Sequence, residues 1–167
     1  VASAYEAIDF CARMQRTDGT EAQVFAVSSE SEAVFRQRFG FFEFLDSRLS
    51  APVDWVFVPA LVVEEPWTPA KYLPLSRWLR RAADSGALIT AVGTGSFLLA
   101  EAGVLDGREA VTHSHYADHF ARRYPRVSLR RDANWIRDGQ LLLTGDMPWQ
   151  ELMLTVIGER WGAQTAQ

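Results

Sequence analysis

Gly93, Thr94, Gly95 and Ser96 follow an apolar run, Ala87–Val92, and lead directly into a helix-like run, Ser96–Ala102. The pattern over 89–102 predicts a strand that turns sharply into a helix, the corner at which α/β folds present reactive or ligand-binding groups. Such a tip often carries a nucleophilic Cys or Ser; here it is Gly93, which has no side chain. The backbone N–H groups of Thr94, Gly95 and Ser96 would start the helix, where a carboxylate, phosphate or polarised carbonyl is favoured. Glycine at 93 and 95 permits unusual dihedrals and a close approach by a ligand. The plain alternative is a tight turn needed only for packing helix on strand. All three histidines lie between His113 and His119. His113 ends a strand-like piece, Ala110–Thr112, and is a candidate ligand contact, or else a capping or packing residue. His115 and His119 have i,i+4 spacing but no Glu beside the first, so a solvated helix face is favoured over a metal site. Ser96 lies inside the helix turn, without an adjacent oriented base. No triad can be assembled and no catalytic residue, metal or cofactor is predicted. Asp146 and Glu151 could face the pocket, but capping is favoured for Asp146 and surface exposure for Glu151.

The elements around these residues alternate strand with helix. Val1–Gln15 reads as an amphipathic helix with Cys11 as a small buried apolar residue, and Gln23–Ser28 as a strand. Val34–Phe44 could be a hairpin or a helix, and a hairpin around Gly40 is favoured. Trp55–Val58, ended by Pro59, has the continuous apolar character of a strand buried on both faces. Tyr72–Ala83 is expected to be a helix with Leu73, Leu75, Trp78, Leu79 and Ala82 inward, stopping near Gly86. Gly103 ends the next helix. His115–Tyr124 is predicted helical up to Pro125. Val127–Leu129 and Gln140–Thr144 read as strands with Asp138-Gly139 as the turn between them. Trp149–Trp161 reads as a closing helix stopped at Gly162. The tryptophans 55, 67, 78, 135, 149 and 161 are core candidates, except that Trp67, in a loop between Pro66 and Pro69, could line a pocket or partner surface. This order predicts a doubly wound parallel sheet with helices on both faces. The chain opens in a helix, so a first strand is expected upstream of Val1.

Composition narrows the functions. The chain has 167 residues, 48% hydrophobic and 23% charged, with 17 basic and 21 acidic side chains and a formal charge of −4. That length suits a single domain, and that charge argues against this chain gripping nucleic acid by itself. No run is long enough to cross a membrane, and no signal peptide is recognisable. A single Cys excludes an internal disulfide and fits a reducing, cytoplasmic compartment.

The run Ala91–Arg108, followed by Ala110-Val111-Thr112-His113, resembles the class I glutamine-amidotransferase-like domain of the PfpI/ThiJ type. More narrowly it resembles the sensor domain of AraC-family transcription regulators. The likeness extends through Phe120 and Tyr124-Pro125, Asp138-Gly139, Thr144-Gly145 and Trp149–Leu152, and over Asp54–Pro59. It implies a flavodoxin-like fold over residues 1–167. It further implies a non-catalytic ligand-sensing and dimerisation domain, with a small polar or anionic metabolite over Gly93, Thr94, Gly95, Ser96 and His113. DNA would be bound only through a helix-turn-helix domain downstream. The alternatives are an enzyme of the hydratase or amidase type and a purely structural dimerisation module. The departures bear on that choice: Gly93 replaces the family Cys, Ala60 a Gly and Ser114 a Trp, and the acidic partner of the Cys would precede Val1.

Overall fold

The computed structural model describes residues 26–28, 44–46, 53–63 and 68–162. The predicted N-terminal helix with Cys11, the hairpin around Gly40, and Trp67 lie outside them. The elements run β1 (Ala26–Ser28), β2 (Phe44–Asp46), β3 (Trp55–Val58), α1 (Pro69–Asp84), β4 (Leu88–Val92) and α2 (Gly95–Glu101). They continue with β5 (Glu109–Ala110), a 3₁₀ turn (Ser114–Tyr116), α3 (Ala117–Arg123), β6 (Ser128–Leu129), β7 (Trp135–Asp138), β8 (Leu141–Thr144) and α4 (Trp149–Trp161). The chain divides into two compact units, residues 1–45 with 148–167, and residues 46–147. In the first, β1 pairs with β2, and α4 buries Leu152, Met153, Val156 and Ile157, one stripe at helical spacing. Gly162, at φ +92, ends α4 as expected.

The second unit is built on a sheet of order β3-β4-β8-β7. β3, β4 and β8 are parallel, so the main sheet of the predicted α/β fold is present. Val56, Ile89 and Leu141 lie abreast on one face, as do Val58, Ala91 and Leu143, and all six are buried. Helix α2 packs against β4, and α1 against α2. Burial on both faces holds for β8 and the middle of β4 but not for β3, where Trp55 and Phe57 are only half-buried. β3 has a ladder partner on one side only among the described residues. Its other face is polar enough for Trp55 Nε1 to donate to Thr90 Oγ1 at 3.0 Å.

Helices α1 and α2 stop as the sequence predicts. Gly86 and Gly103 have φ of +89 and +69. The N–H of each bonds back three residues, to Ala83 and Ala100, and the next N–H reaches five back, to Ala82 and Leu99. This paired closure satisfies carbonyls that a helix end otherwise leaves bare. Helix α1 starts three residues earlier than expected because Pro69, whose fixed φ and missing N–H suit a first turn, opens it. Leu73 is exposed rather than inward. It lies six residues before Leu79, about a third of a turn off the buried stripe.

Three expectations need correction. Asp138-Gly139 is a hairpin turn, but its first strand is β7, not Val127–Leu129; β7 runs antiparallel to β8 with Asp138 opposite Leu141. Gly139 has φ +58 and Gln140 does not share that sign, so the glycine sits where a two-residue hairpin loop requires it. The Val127–Leu129 segment instead supplies β6, parallel to β5 in a separate two-stranded sheet. His115–Tyr124 is not one helix, since a 3₁₀ turn precedes α3. Trp135 is no core residue either: it lies on the outermost strand and is 52% exposed, whereas Trp78 is buried.

Candidate functional site

The elbow is assembled from backbone first. β4 ends at Val92, and the Gly93 N–H donates to Thr144 O at 2.8 Å, carrying the β4–β8 ladder one residue further. Gly93 then adopts φ +52, a left-handed conformation that turns the chain into α2 and that side-chain-bearing residues adopt at a cost of roughly 1 kcal/mol or more. Gly95 is required for a different reason. A Cβ there would lie 2.8 Å from Pro59 O and 2.9 Å from Val58 O, so the start of α2 passes directly over the end of β3.

The hydroxyls around this turn are committed within the protein. Thr94 Oγ1 accepts the Leu61 N–H at 2.8 Å and donates to Leu61 O at 2.6 Å, fastening the elbow to the segment after β3. It therefore does not cap α2, and no side chain does. Ser96 Oγ lies 3.0 Å from Gly93 O and 2.8 Å from Thr112 Oγ1, with Thr112 Oγ1 3.4 Å from the same carbonyl. Two hydroxyl hydrogens thus hold three oxygens together. The Ser96 N–H, expected to be open to a ligand, bonds Gly93 O at 3.3 Å. Thr94 is 4% exposed and Ser96 1%.

What lies over the tip is less crowded. A Cβ built on Gly93 would meet Gly145 O at 3.4 Å, His113 Cβ at 3.7 Å and Ala60 Cβ at 4.0 Å, all ordinary contacts. Ala60, His113 and Gly145 follow β3, β5 and β8, so three strand-end segments surround the elbow at the C-terminal edge of the parallel strands. This is where open α/β sheets bind their ligands. Gly145 has a packing role the sequence did not disclose: a Cβ on it would come within 2.9 Å of Thr112 O. Beside it, Thr144 Oγ1 is buried without a hydrogen-bond partner among the described residues.

His113 and Asp146 form the polar rim, with side chains 49% and 47% exposed. Asp146 Oδ1 accepts the Ser114 N–H at 3.0 Å and so caps the 3₁₀ turn across the chain rather than a helix of its own. That hydrogen bond, helped by the Ser114 hydroxyl and by His113, holds the Asp146 carboxyl below the usual carboxylate range against a partial desolvation that opposes it. Glu151 is exposed, as expected.

Behind the elbow lies an aromatic cluster. Phe97 of α2 meets Phe120, His119, Tyr124 and Tyr116 with ring centroids 5.1, 5.7, 5.8 and 6.3 Å away. His119 is therefore half-buried against Phe97, not on a solvated face; His115 is the exposed member of that pair. Tyr124 donates to Glu101 Oε1 at 2.7 Å, and burial pushes its phenol pKa up. Thus the five residues singled out in the sequence are neighbours in space, and Leu61, Thr112, Gly145 and Asp146 complete the corner.

A parallel sheet whose interior strand turns through a left-handed glycine into a helix, with strand-end loops gathered over the turn, defines a doubly wound α/β domain whose elbow carries no side chain at its tip. The chain belongs to the DJ-1/PfpI family, whose profile matches residues 1–157. It is 36% identical over 99 residues, 59% of this chain, to the HTH-type transcriptional regulator CdhR of Pseudomonas aeruginosa. It is 35% identical over 108 residues, 64% of this chain, to the HTH-type transcriptional regulator ArgR of the same organism. These stretches span only 28% and 32% of the two regulators. Among solved structures, an AraC family transcriptional regulator from Pseudomonas putida superposes with a TM-score of 0.68 at 22% identity, over 98% of this chain and 86% of that one. No described helix is long and apolar enough to cross a membrane.

Proposed function

We propose that residues 1–167 act as one non-catalytic sensing and dimerisation domain of an AraC-family transcription regulator, working in the cytoplasm. A small polar or anionic metabolite rests over Gly93, with the Thr94 and Gly95 backbone and the fixed Ser96 as its floor and His113 at its side. The observation that carries this reading is Gly93 itself, a strained turn kept in place with only ordinary contacts where a side chain would project. The hydroxyls of Thr94, Ser96 and Thr112 are tied to backbone oxygens and to each other, which supports a non-covalent site. The names of the relatives support regulation over catalysis. DNA is held by a helix-turn-helix part outside residues 1–167, and the effector acts by binding one arrangement of the homodimer better than another.

A thermal-shift screen of small carboxylates and amino acids tests the site. A true effector raises the melting temperature of the wild-type chain, as any ligand specific to the folded state must. It loses that effect in Ala60→Phe, which adds bulk beside Gly93. A stabilising compound that acts equally on both proteins places the site elsewhere. Treatment with a serine- and thiol-directed probe followed by mass spectrometry tests the absence of catalysis; an adduct within residues 93–96 overturns it.

A further inference from the structure

We infer that His113 is a proton-driven switch at the rim of this corner, whose Nδ1 exchanges a backbone N–H for the Asp146 carboxylate and thereby changes what caps the 3₁₀ turn. Its connection to an effector rests on the sensing reading above; the exchange itself does not.

The geometry offers Nδ1 two partners that it cannot serve together. It lies 3.2 Å from the His115 N–H, which it accepts, and 3.4 Å from Asp146 Oδ1. A nitrogen that accepts the His115 N–H carries a lone pair, so the ring is neutral and its hydrogen is on Nε2, a tautomer assigned from the hydrogen bond. Nδ1 and Asp146 Oδ1 then face each other as two acceptors with no hydrogen between them. Adding one proton reverses the arrangement. Nδ1–H now donates to Asp146 Oδ1 as a charge-assisted bond, and the His115 N–H loses its acceptor. Asp146 keeps the Ser114 N–H throughout. The neutral state caps the turn through His113 and Asp146, the protonated state through Asp146 alone.

The consequence reaches past the rim. The turn carries Tyr116, whose ring lies 6.1 Å from that of His113 and 6.3 Å from that of Phe97 in α2. The titratable groups that face His113 are Asp146 from the segment after β8, and His115 and Tyr116 from the turn; Gly93 and Ala60, from the other two sides, bring no charge. In both states Nε2 bears a hydrogen, so the free edge of the ring offers only a donor. An effector group that meets it is an acceptor, and an anion favours the protonated ring. A carboxylate or phosphate therefore binds together with a proton, and by reciprocity acid strengthens its binding.

Imidazole ¹⁵N spectra of the 167-residue chain, recorded from about pH 8 to about pH 5 across the usual histidine range, test this. At the alkaline end His113, assigned with His113→Gln, shows an unprotonated Nδ1 and a protonated Nε2, and the His115 amide is deshielded. At the acid end both ring nitrogens are protonated, and the His115 amide moves upfield while that of Ser114 does not. Asp146→Asn, which keeps an oxygen for Ser114 and removes the charge, at least halves that movement. An Nδ1–H tautomer at alkaline pH, a His115 amide indifferent to ring protonation, or a full response in Asp146→Asn overturns the exchange. Acetate and inorganic phosphate, titrated separately near neutral pH, shift His113 toward the doubly protonated form if the corner takes anions, and distinguish the two classes. If the pH response is present and neither anion perturbs it, the exchange stands and anion recognition at this corner is refuted.

Discussion

Beneath the elbow, Thr94, Ser96 and Thr112 are nearly sealed from water and tie each hydroxyl to a backbone or hydroxyl group. At its rim, His113 and Asp146 keep close to half of their side-chain surface in solvent. One short stretch of sequence feeds both regions, since Thr112 belongs to the floor and the next residue to the rim. The floor is uncharged, spans three strand ends and fixes geometry. The rim titrates and has alternative partners, so it can respond. A sensing corner needs both, a rigid frame against which a small change can be read and a group able to make that change.

If the floor is the rigid part, its substitutions must cost far more stability than those at the rim. Gly95→Ala forces a Cβ against the carbonyls of Pro59 and Val58, which are backbone and cannot swing aside. The expected loss is about 3 kcal/mol, at the upper end of overpacking effects, measured by denaturant unfolding. A loss below roughly 0.5 kcal/mol, the range of ordinary surface changes, would break the comparison.

Thr94→Val comes next. It keeps the shape of the side chain but leaves the N–H and C=O of Leu61 without their partner. The loss should be about 2 kcal/mol, the cost of stranding polar groups. Faster amide exchange at Leu61 would locate the damage. Gly93→Ala should cost less, about 1 kcal/mol, because its Cβ meets only ordinary contacts and the penalty is the left-handed backbone alone. The order Gly95, Thr94, Gly93 sharpens the picture, and a reversal of the two glycines would mean that space, not conformation, limits position 93.

The floor's backbone was the legible part of the sequence. Glycines at 86, 93, 103, 139 and 162 mark helix ends and turns, and each has the positive φ that explains the residue. Continuous apolar runs marked β3, β4 and β8, although only the interior strands are buried on both faces. What failed to show was whatever depends on a distant partner. β7 carries Arg137 and Asp138 and is a strand because β8 lies beside it. β5 and β6 are two residues each and exist only as a pair. Thr94 looked like a helix-start residue offering an amide, but its hydroxyl is directed 33 residues back along the chain, to Leu61. His113 was singled out, yet its link to Asp146 crosses from the segment after β5 to the segment after β8, and no local spacing encodes it. The aromatic character of 116–124 was plain, but the packing of His119 on Phe97 was not.

The smallest effect belongs to the rim. Asp146→Ala removes the acceptor for Ser114 N–H and should destabilise by less than about 1 kcal/mol, since the cap is half in solvent. Its pH dependence has a definite sign. The folded-state pKa of Asp146 is depressed, so its contribution is present above the ordinary Asp pKa near 4 and fades as pH falls through the lower folded value. Wild type and Asp146→Ala should therefore differ most at neutral pH and converge in acid, as followed by urea unfolding at a series of pH values. If the gap between the proteins is constant across the series, Asp146 serves the turn without charge, and the distinction between a fixed floor and a responsive rim fails at the rim.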